Sequence, residues 1–252
     1  MKEFLEFIRF EISVFSSLAG VLGFLIFNQL DIQIVLVALC AFCVISSGRA
    51  YNNLRDKRED VINRQTLNLY TSNISGRIVI LLLFFSGLLL TLLLPLISTI
   101  FYLTVMVVII IYSDFRIKRY FMAKNFISGI YLSLTFLMGV GFINADVLTY
   151  CLTAFLFIYT SSLVSDIRDH DGDKEAGLRT VPVILGLNNT KKIIYVLYLI
   201  FSILVFYMSL TEYIIFSLFV PIIIVSMIMK NETYAHRLGG LSIILTIIFI
   251  LF

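Results

Sequence analysis

Long apolar runs separated by short polar stretches make up almost the whole chain. A helix that crosses the apolar core of a bilayer needs ~20 residues, with ~17 tolerated, and the runs have about that length. They lie near residues 12–29, 33–50, 77–95, 97–113, 125–143, 146–165, 192–210, 213–229 and 236–252. The pattern predicts an all-α membrane protein that forms one domain, residues 1–252, of nine transmembrane helices around a central cavity.

Composition narrows the class of protein further. Of the 252 residues, 60% are hydrophobic and 14% are charged, and the mean hydropathy is +1.01. These values exclude a soluble globular protein of ordinary composition. We expect an integral protein of the cell membrane that is surrounded by lipid, and we expect no nucleic-acid partner.

The basic residues predict the orientation of the helices. Lys and Arg are retained on the cytoplasmic side of a membrane. If the chain crosses nine times, all 19 of its Lys and Arg residues fall in segments on the same side of the membrane as the N-terminus. The opposite connections, near residues 29–31, 95, 144–146 and 210–212, carry none. A miscounted helix would scatter these charges over both faces. The asymmetry therefore supports nine spans with the N-terminus and both long loops in the cytoplasm.

Two acidic stretches stand directly after apolar runs, Asn52–Asp60 and Ser165–Lys174. Each begins a long cytoplasmic connection of roughly 25 residues, and long ordered loops are usually functional. If the helices continue into these stretches, three polar positions in each line one helical face. The positions are Asn52, Asp56 and Asp60 in the first stretch and Asp166, Asp169 and Asp173 in the second.

Stacked carboxylates repel one another unless a cation lies among them. Oxygen ligands in this number suit Mg²⁺, which keeps several waters and binds through one or two carboxylates together with substrate phosphates. Two such faces opposed across a cavity would hold a diphosphate between metal ions. The alternative is a set of solvated charges paired with neighbouring basic side chains such as Arg55 and Arg168. The recurrence of the carboxylates at corresponding helix ends, on one side of the membrane, favours the metal site.

The two stretches resemble the NDxxDxxxD and DxxDxxxD motifs of the UbiA superfamily of intramembrane prenyltransferases. The sequence from Asp166 through Pro182 and Gly186 is also similar to that family's second long loop. The resemblance covers the whole topology, because the family has nine transmembrane helices with both motifs in the cytoplasm. It implies Mg²⁺-dependent ionisation of a prenyl diphosphate, followed by attack of a lipid or aromatic acceptor on the allylic cation.

The resemblance also implies roles for individual residues. The implied ligands of Mg²⁺ are Asn52, Asp56, Asp60, Asp166, Asp169 and Asp173. The implied catalytic residues are Asp56, Asp60, Asp166 and Asp173. The implied substrate-binding residues are Asn52, Asn53, Arg64, Lys118, Lys124, Asn125 and Asp169. The chain departs from the family at Asn53, where aspartate is usual, and around Arg64, where the family's Arg-Pro is missing.

Two further segments carry the resemblance between the acidic stretches. Residues 112–119 and the Lys124-Asn125 pair resemble the family's Tyr/Lys-bearing loop and its Lys-Asn helix start. Lys118 and Lys124 would neutralise the leaving diphosphate. The alternative is that both lysines only anchor helix ends at the membrane surface. Arg9, just before the first run, is a further candidate for the same cavity.

Within the superfamily, the short length, the Lys124-Asn125 pair and the Ile/Phe-rich scaffold resemble most the archaeal digeranylgeranylglyceryl phosphate synthases. This similarity implies a geranylgeranyl donor and a lipid acceptor such as geranylgeranylglyceryl phosphate. The runner-up is prenylation of an aromatic quinone precursor of the 4-hydroxybenzoate or dihydroxynaphthoate type. A membrane transporter is the alternative from another class, but its acidic residues would be expected near the bilayer midplane. The helix interiors of this chain are almost free of charge.

Overall fold

The structure is a computed structural model that describes residues 1–55, 68–117, 120–208, 211–229 and 231–251. Within these ranges the chain forms α-helices and a short 3₁₀-helix, Thr211–Tyr213, and no β-strand. The α-helices are α1 (Lys2–Phe7), α2 (Phe10–Phe27), α3 (Gln33–Arg55), α4 (Leu69–Ser72), α5 (Ile74–Thr91), α6 (Leu96–Asp114), α7 (Ala123–Val140), α8 (Ala145–Arg168), α9 (His170–Glu175), α10 (Val181–Leu185), α11 (Leu187–Tyr207), α12 (Ile214–Ile228) and α13 (Glu232–Leu251). The predicted all-α fold is confirmed.

The longest helices of the described residues correspond one to one with the predicted apolar runs. Eight are long and apolar enough to cross a membrane, namely α2, α3, α5, α6, α7, α8, α11 and α13. The remaining helix, α12, has 15 residues and is about 22 Å long at a rise of about 1.5 Å per residue. The prediction of nine apolar helices is therefore close to the observed fold, with α12 shorter than a full span.

Two helices continue past the apolar runs that predicted them. The runs end near residues 50 and 165, whereas α3 reaches Arg55, the last described residue before a gap, and α8 ends at Arg168. Backbone hydrogen bonds do not depend on apolar side chains, so a helix can carry polar residues where it leaves the hydrocarbon layer. The first residues of both acidic stretches are therefore helical.

The chain divides into two compact units. The first unit consists of Met1–Arg116 with Leu134–Ile143, and the second consists of Ile117–Ser133 with Asn144–Phe252. Helix α7 contributes its first part to the second unit and its last part to the first. The acidic residues at the end of α3 thus belong to the first unit, and those at the end of α8 belong to the second.

Helix α3 is the centre of the first unit, where it packs against α2, α5 and α6. The last part of α7 lies directly on α2. A Cβ atom added at Gly139 would lie 1.9 Å from the backbone oxygen of Gly20. Small residues let two membrane helices approach this closely, so the crossing requires glycine at position 139.

The N-terminal segment is part of the same unit. The Phe7 side chain is 1% exposed, and its ring stacks on Tyr70 with the centroids 5.5 Å apart. The side chain of Asn68 donates a hydrogen bond to the backbone carbonyl of Glu3 at 2.8 Å. These contacts fix α1 and bring Arg9, two residues after it, to the polar end of α3.

Helix α8 is the centre of the second unit, where it packs against α11 and α13. An aromatic cluster fills part of this core. The ring of Phe157 in α8 contacts Phe216 of α12 and Phe201 of α11, with centroid distances of 4.7 Å and 5.2 Å. Aromatic rings bury a large apolar area in specific geometries, so the cluster fixes the helix that carries the second acidic stretch.

Candidate functional site

The polar end of α3 in the first unit carries Asn52 and Asn53. Asn53 is 6% exposed, and both atoms of its amide are hydrogen-bonded. Arg9 Nε donates to Asn53 Oδ1 at 3.0 Å, and Asn53 Nδ2 donates to the backbone carbonyl of Phe7 at 2.7 Å. Asn53, a predicted substrate-binding residue, therefore fastens the N-terminal segment to α3.

These two hydrogen bonds suit asparagine better than aspartate, the residue that the motif resemblance predicts at this position. An amide offers an acceptor to Arg9 and a donor to the Phe7 carbonyl, whereas an ionised carboxylate offers acceptors only. Aspartate would place a charged oxygen against the carbonyl oxygen of Phe7. Arg9 has a left-handed backbone conformation, with φ 48° and ψ 54°, which is uncommon for a residue with a Cβ atom. The contact with Asn53 helps to hold that conformation.

Asn52, a predicted ligand of Mg²⁺, contacts the end of α6. Ser113 Oγ donates to Asn52 Oδ1 at 3.1 Å. Beside this contact, Asp114 Oδ1 accepts a hydrogen bond from the Tyr51 hydroxyl and pairs with Arg55 Nε, each at 2.7 Å. Side-chain contacts thus fasten the ends of α3 and α6 together where the first acidic stretch begins.

An arginine lies within the membrane-spanning helix α3. Arg49 is one helical turn before Asn53, and its Nη2 donates to Ser16 Oγ of α2 at 3.1 Å. Charged side chains are costly in membrane helices and usually face the protein interior at functional positions. Together with Arg9, Arg49 places a second guanidinium group at the contact between α2 and α3. In the sequence, Arg49 counted only as one of the 19 basic residues that predict the orientation, and no motif indicated its position.

Four of the predicted site residues, Asp56, Asp60, Arg64 and Lys118, lie outside the described residues. Asp56 and Asp60 are the carboxylates of the first set, so the metal-binding role of that set rests on the sequence. The roles of all four residues stay predictions.

The second unit holds a buried carboxylate at the end of α8. Asp166 is 0% exposed, Lys124 Nζ is 2.7 Å from its Oδ1, and Asn125 Nδ2 donates to its Oδ2 at 2.8 Å. Asn125 Nδ2 also donates to Ser162 Oγ at 3.0 Å. A buried charge is tolerated where it is paired and hydrogen-bonded, and Asp166 is both. The structure thus brings together three predicted site residues from the start of α7 and the end of α8.

Asp169 follows α8 and lies at the surface of the unit. Its side chain is 42% exposed. Arg168 contacts both carboxylate oxygens, with Nε at 2.7 Å from Oδ1 and Nη2 at 2.9 Å from Oδ2. An exposed ion pair contributes little to stability, so Asp169 can exchange this partner for another cation at small cost.

Asp173 lies on α9, and its Oδ2 atom is buried without a hydrogen-bonding partner among the described residues. Burial raises the pKa of this carboxyl group above its usual value; the charge of Lys124 opposes the shift, and the charges of Asp166 and Asp169 add to it. The three aspartates therefore lie within electrostatic range of one another. A buried oxygen without a partner is rare in native proteins, and it marks a position for a donor or a cation.

The three aspartates follow one another along an almost continuous helix. The backbone N–H groups of Asp169 and Asp173 donate to the carbonyls four residues earlier, at 3.0 Å and 2.9 Å. In the part of the chain that the structure describes, no three His, Cys, Asp or Glu side chains converge to hold a metal ion. The potential ligands are nevertheless all oxygen atoms, and Asp173 Oδ2 lacks a partner. This chemistry fits a hard divalent cation.

Sequence reasoning missed two of the residues that support these groups. Ser162 lies four residues before Asp166, so its place on the same face of α8 follows from helical spacing. Ser113 is 61 residues from its partner Asn52, and nothing in the local sequence indicates that contact.

Comparisons with known proteins add to this geometry. The sequence profile described as the UbiA prenyltransferase family matches residues 13–239. A digeranylgeranylglyceryl phosphate synthase of Methanosphaera stadtmanae is 30% identical over 233 residues, which cover 89% of this chain and 84% of that protein. A protein of the same name from Methanocaldococcus jannaschii is 29% identical over 194 residues, which cover 74% of this chain and 68% of the relative.

Solved structures share the fold over nearly the full length. A UbiA homologue from Archaeoglobus fulgidus bound to GPP and Mg²⁺ has a TM-score of 0.77 at 20% identity, and the match covers 99% of this chain and 98% of that one. A structure from work on digeranylgeranylglyceryl phosphate synthase in membranes has a TM-score of 0.71 at 23% identity, with coverages of 99% and 96%. At these identities the similarity is evidence for the fold.

Proposed function

The chain belongs to the UbiA prenyltransferase family and is a prenyltransferase, and we propose that it transfers a geranylgeranyl group from the diphosphate to a lipid acceptor such as geranylgeranylglyceryl phosphate. The observation that carries the proposal is the group around Asp166. A buried, lysine-paired carboxylate lies within electrostatic range of two further aspartates at the end of a membrane helix. The name shared by the curated relatives supports the lipid acceptor.

Mg²⁺ is the proposed cofactor, supported by the Archaeoglobus fulgidus homologue that was solved with GPP and Mg²⁺. Asp166, Asp169 and Asp173 would hold it, together with Asn52, Asp56 and Asp60, which remain predicted ligands. When bound, Mg²⁺ neutralises the negative charge that develops on a departing diphosphate. The all-oxygen character of these ligands and the open Asp173 Oδ2 atom support this assignment.

Lys124 and Asn125 have positioning roles in this proposal. Lys124 Nζ and Asn125 Nδ2 hold the two oxygens of Asp166 in a fixed orientation. Fixed charges and dipoles require no reorganisation during the reaction, which is why preorganised groups stabilise developing charge effectively. Lys124 also provides positive charge beside three carboxylates, so a diphosphate can approach without facing their full repulsion.

An aromatic pair lies deeper in α8 on the face that carries Asp166. Tyr159 is seven residues, or about two helical turns, before Asp166. Its ring stacks on Phe155 with the centroids 6.0 Å apart and an interplanar angle of 14°. Aromatic faces attract cations, so these rings are suited to stabilise the allylic cation that remains when the diphosphate leaves. The cation would then last until the acceptor attacks.

The protein is integral to the membrane, and we propose that its N-terminus and both acidic stretches face the cytoplasm. The distribution of the 19 basic residues supports this orientation. Membership in a family of prenyltransferases favours the enzyme over the transporter alternative. An aromatic quinone precursor remains the alternative acceptor.

The direct test is transfer of labelled geranylgeranyl groups by the purified protein in lipid nanodiscs. The acceptors are geranylgeranylglyceryl phosphate, 4-hydroxybenzoate and dihydroxynaphthoate, each assayed with Mg²⁺ and with a chelator. We expect product with the lipid acceptor, and only in the presence of Mg²⁺. Product with an aromatic acceptor alone would contradict the proposed acceptor, and undiminished product in chelator would contradict the proposed cofactor.

A further inference from the structure

Thr180 carries a buried hydroxyl group that the local helix does not use. Its side chain is 3% exposed, and Oγ1 makes no hydrogen bond within the described ranges. Thr180 is the N-cap of α10, where a threonine hydroxyl usually accepts a hydrogen bond from the second or third N–H of the helix. Pro182 occupies the second position and has no N–H group. The N–H of Val183 at the third position does not bond to the Thr180 side chain either, so the hydroxyl is left for another partner.

Asp173 is the candidate for that partner. The N–H of Leu178 donates to the Asp173 carbonyl at 2.9 Å, which turns the segment that leads to Thr180 back against the end of α9. Thr180 is close enough to Asp173 to lower the pKa of that carboxyl group, although its hydroxyl does not complete a hydrogen bond. Two buried polar atoms, Thr180 Oγ1 and Asp173 Oδ2, therefore lie in one region and both lack a partner.

Asp173 also differs from the two other aspartates in its charge compensation. Lys124 pairs with Asp166, and Arg168 pairs with Asp169, whereas Asp173 has no ion pair among the described residues. A buried carboxylate that ionises must gain donors or a cation. Thr180 can supply one donor, and a divalent cation can supply the remaining charge.

We propose that Thr180 is a positioning residue for Asp173, whose carboxylate it holds by a hydrogen bond while Asp173 Oδ2 binds Mg²⁺. The hydroxyl then donates to one carboxylate oxygen and leaves the other free for the metal. Each of the two unpartnered atoms gains a partner when the cation binds. This inference rests on the proposed Mg²⁺-dependent function.

The test compares Thr180→Val, which keeps the shape and removes the hydroxyl, with Thr180→Ser, which keeps the hydroxyl. Mg²⁺ affinity is measured without any substrate by calorimetric titration of the purified protein in nanodiscs. Groups that orient a metal ligand typically contribute about tenfold or more to metal affinity. We expect Thr180→Val to bind Mg²⁺ about tenfold more weakly than the wild type, and Thr180→Ser to bind within about threefold of it.

Thr153→Val is the matched control. Thr153 is also buried in the second unit, but its hydroxyl donates to the Thr149 carbonyl within α8 at 2.9 Å. We expect this variant to bind Mg²⁺ like the wild type. If Thr180→Val does not fold, the pair Thr180→Ala and Thr180→Ser provides the same comparison.

Wild-type affinity in the folded Thr180→Val or Thr180→Ala variant would overturn the inference, and so would equal losses in the serine and valine variants. These outcomes are distinct from a failure of the proposed function, which would appear as a wild-type protein that transfers prenyl groups without Mg²⁺ or not at all.

Discussion

Asn53 donates its side-chain N–H to the backbone carbonyl of Phe7 across 2.7 Å. The contact joins the end of α3 to the N-terminal segment before α2. Arg9 in that segment donates to the oxygen of the same amide. Asparagine at position 53 thus supplies a donor and an acceptor on one side chain, and both are used.

We predict that Asn53→Asp destabilises the protein. The carboxylate removes the donor to the Phe7 carbonyl and sets two oxygens against each other, while the stronger pair with Arg9 offsets part of the loss. We expect a net loss of about 1 kcal/mol in the free energy of unfolding, measured by thermal unfolding in detergent. Asn189→Asp, which removes an exposed side-chain donor to the Leu185 carbonyl, is the control, and we expect a smaller loss because water can replace that bond. An unchanged or raised midpoint for Asn53→Asp would show that the ion pair outweighs the lost donor.

The second prediction concerns the buried pair of Lys124 and Asp166. Removing one partner leaves the other charge or donor uncompensated, which typically costs about 3 to 5 kcal/mol for a buried pair. We expect Lys124→Met to destabilise strongly and the double variant Lys124→Met/Asp166→Asn to recover part of the loss. All of these variants should lose prenyl transfer. The measurement is a double-mutant cycle by denaturant unfolding, with the exposed Lys192→Met as the control. Additive effects in the cycle would mean that the two side chains do not interact.

The third prediction is a pH dependence that originates at Asp173. Burial raises the pKa of its carboxyl group in the folded protein, so a proton competes with Mg²⁺ at a higher pH than for an ordinary aspartate. Mg²⁺ affinity should fall as the pH is lowered toward that raised pKa. The stability of the metal-free protein should have the opposite pH dependence, because protonation of Asp173 favours the folded state. This contribution is fully present below the pKa of the carboxyl group in the unfolded chain, and it is lost as the pH rises through the higher pKa of the folded state. Titrations of Mg²⁺ at several pH values check the predicted fall in affinity.

The Asp173→Asn variant should lose the part of the pH dependence that Asp173 causes. A pH profile identical to that of the wild type would assign this dependence to another group.

Topology gives the fourth prediction. If the basic residues mark the cytoplasmic side, a single cysteine at Asn188 reacts with a membrane-impermeant reagent only from the cytoplasm, and one at Ile143 only from outside. The three native cysteines, Cys40, Cys43 and Cys151, are replaced beforehand. Labelling of both positions from the same side would contradict the predicted orientation.

The fifth prediction concerns the length of the donor. A geranylgeranyl tail can extend through most of a hydrocarbon core of about 30 Å, and its binding energy helps to place the reacting carbon. We expect a higher kcat/KM for geranylgeranyl diphosphate than for geranyl diphosphate at saturating acceptor. Equal values for both donors would mean that the tail does not contribute to positioning.

Local pattern predicted the helices well, because apolar length is a property of each segment by itself. The family resemblance, rather than the local pattern, pointed to Asp166, Lys124 and Asn125, and the structure shows these side chains in contact; their roles in the reaction stay predictions. The sequence did not reveal that Asn53 faces inward, because the Phe7 carbonyl that holds it lies 46 residues away. The sequence also could not indicate that Asp173 Oδ2 and Thr180 Oγ1 lack hydrogen-bonding partners. A missing partner can be recognised only when the positions of the neighbouring residues are known.

The shortness of α12 has a consequence for the surrounding lipid. The helix is about 22 Å long, and the 3₁₀-helix Thr211–Tyr213 directly before it adds about 6 Å, so the segment stays below a hydrocarbon core of about 30 Å. A bilayer beside a short segment adapts by local thinning, at a fraction of a kcal/mol per Å of hydrophobic mismatch. Short-chain lipids relieve this deformation, and thick bilayers increase it. The acyl-chain length of the host membrane therefore acts on the stability of this protein in the same way as a ligand that binds one state better than another.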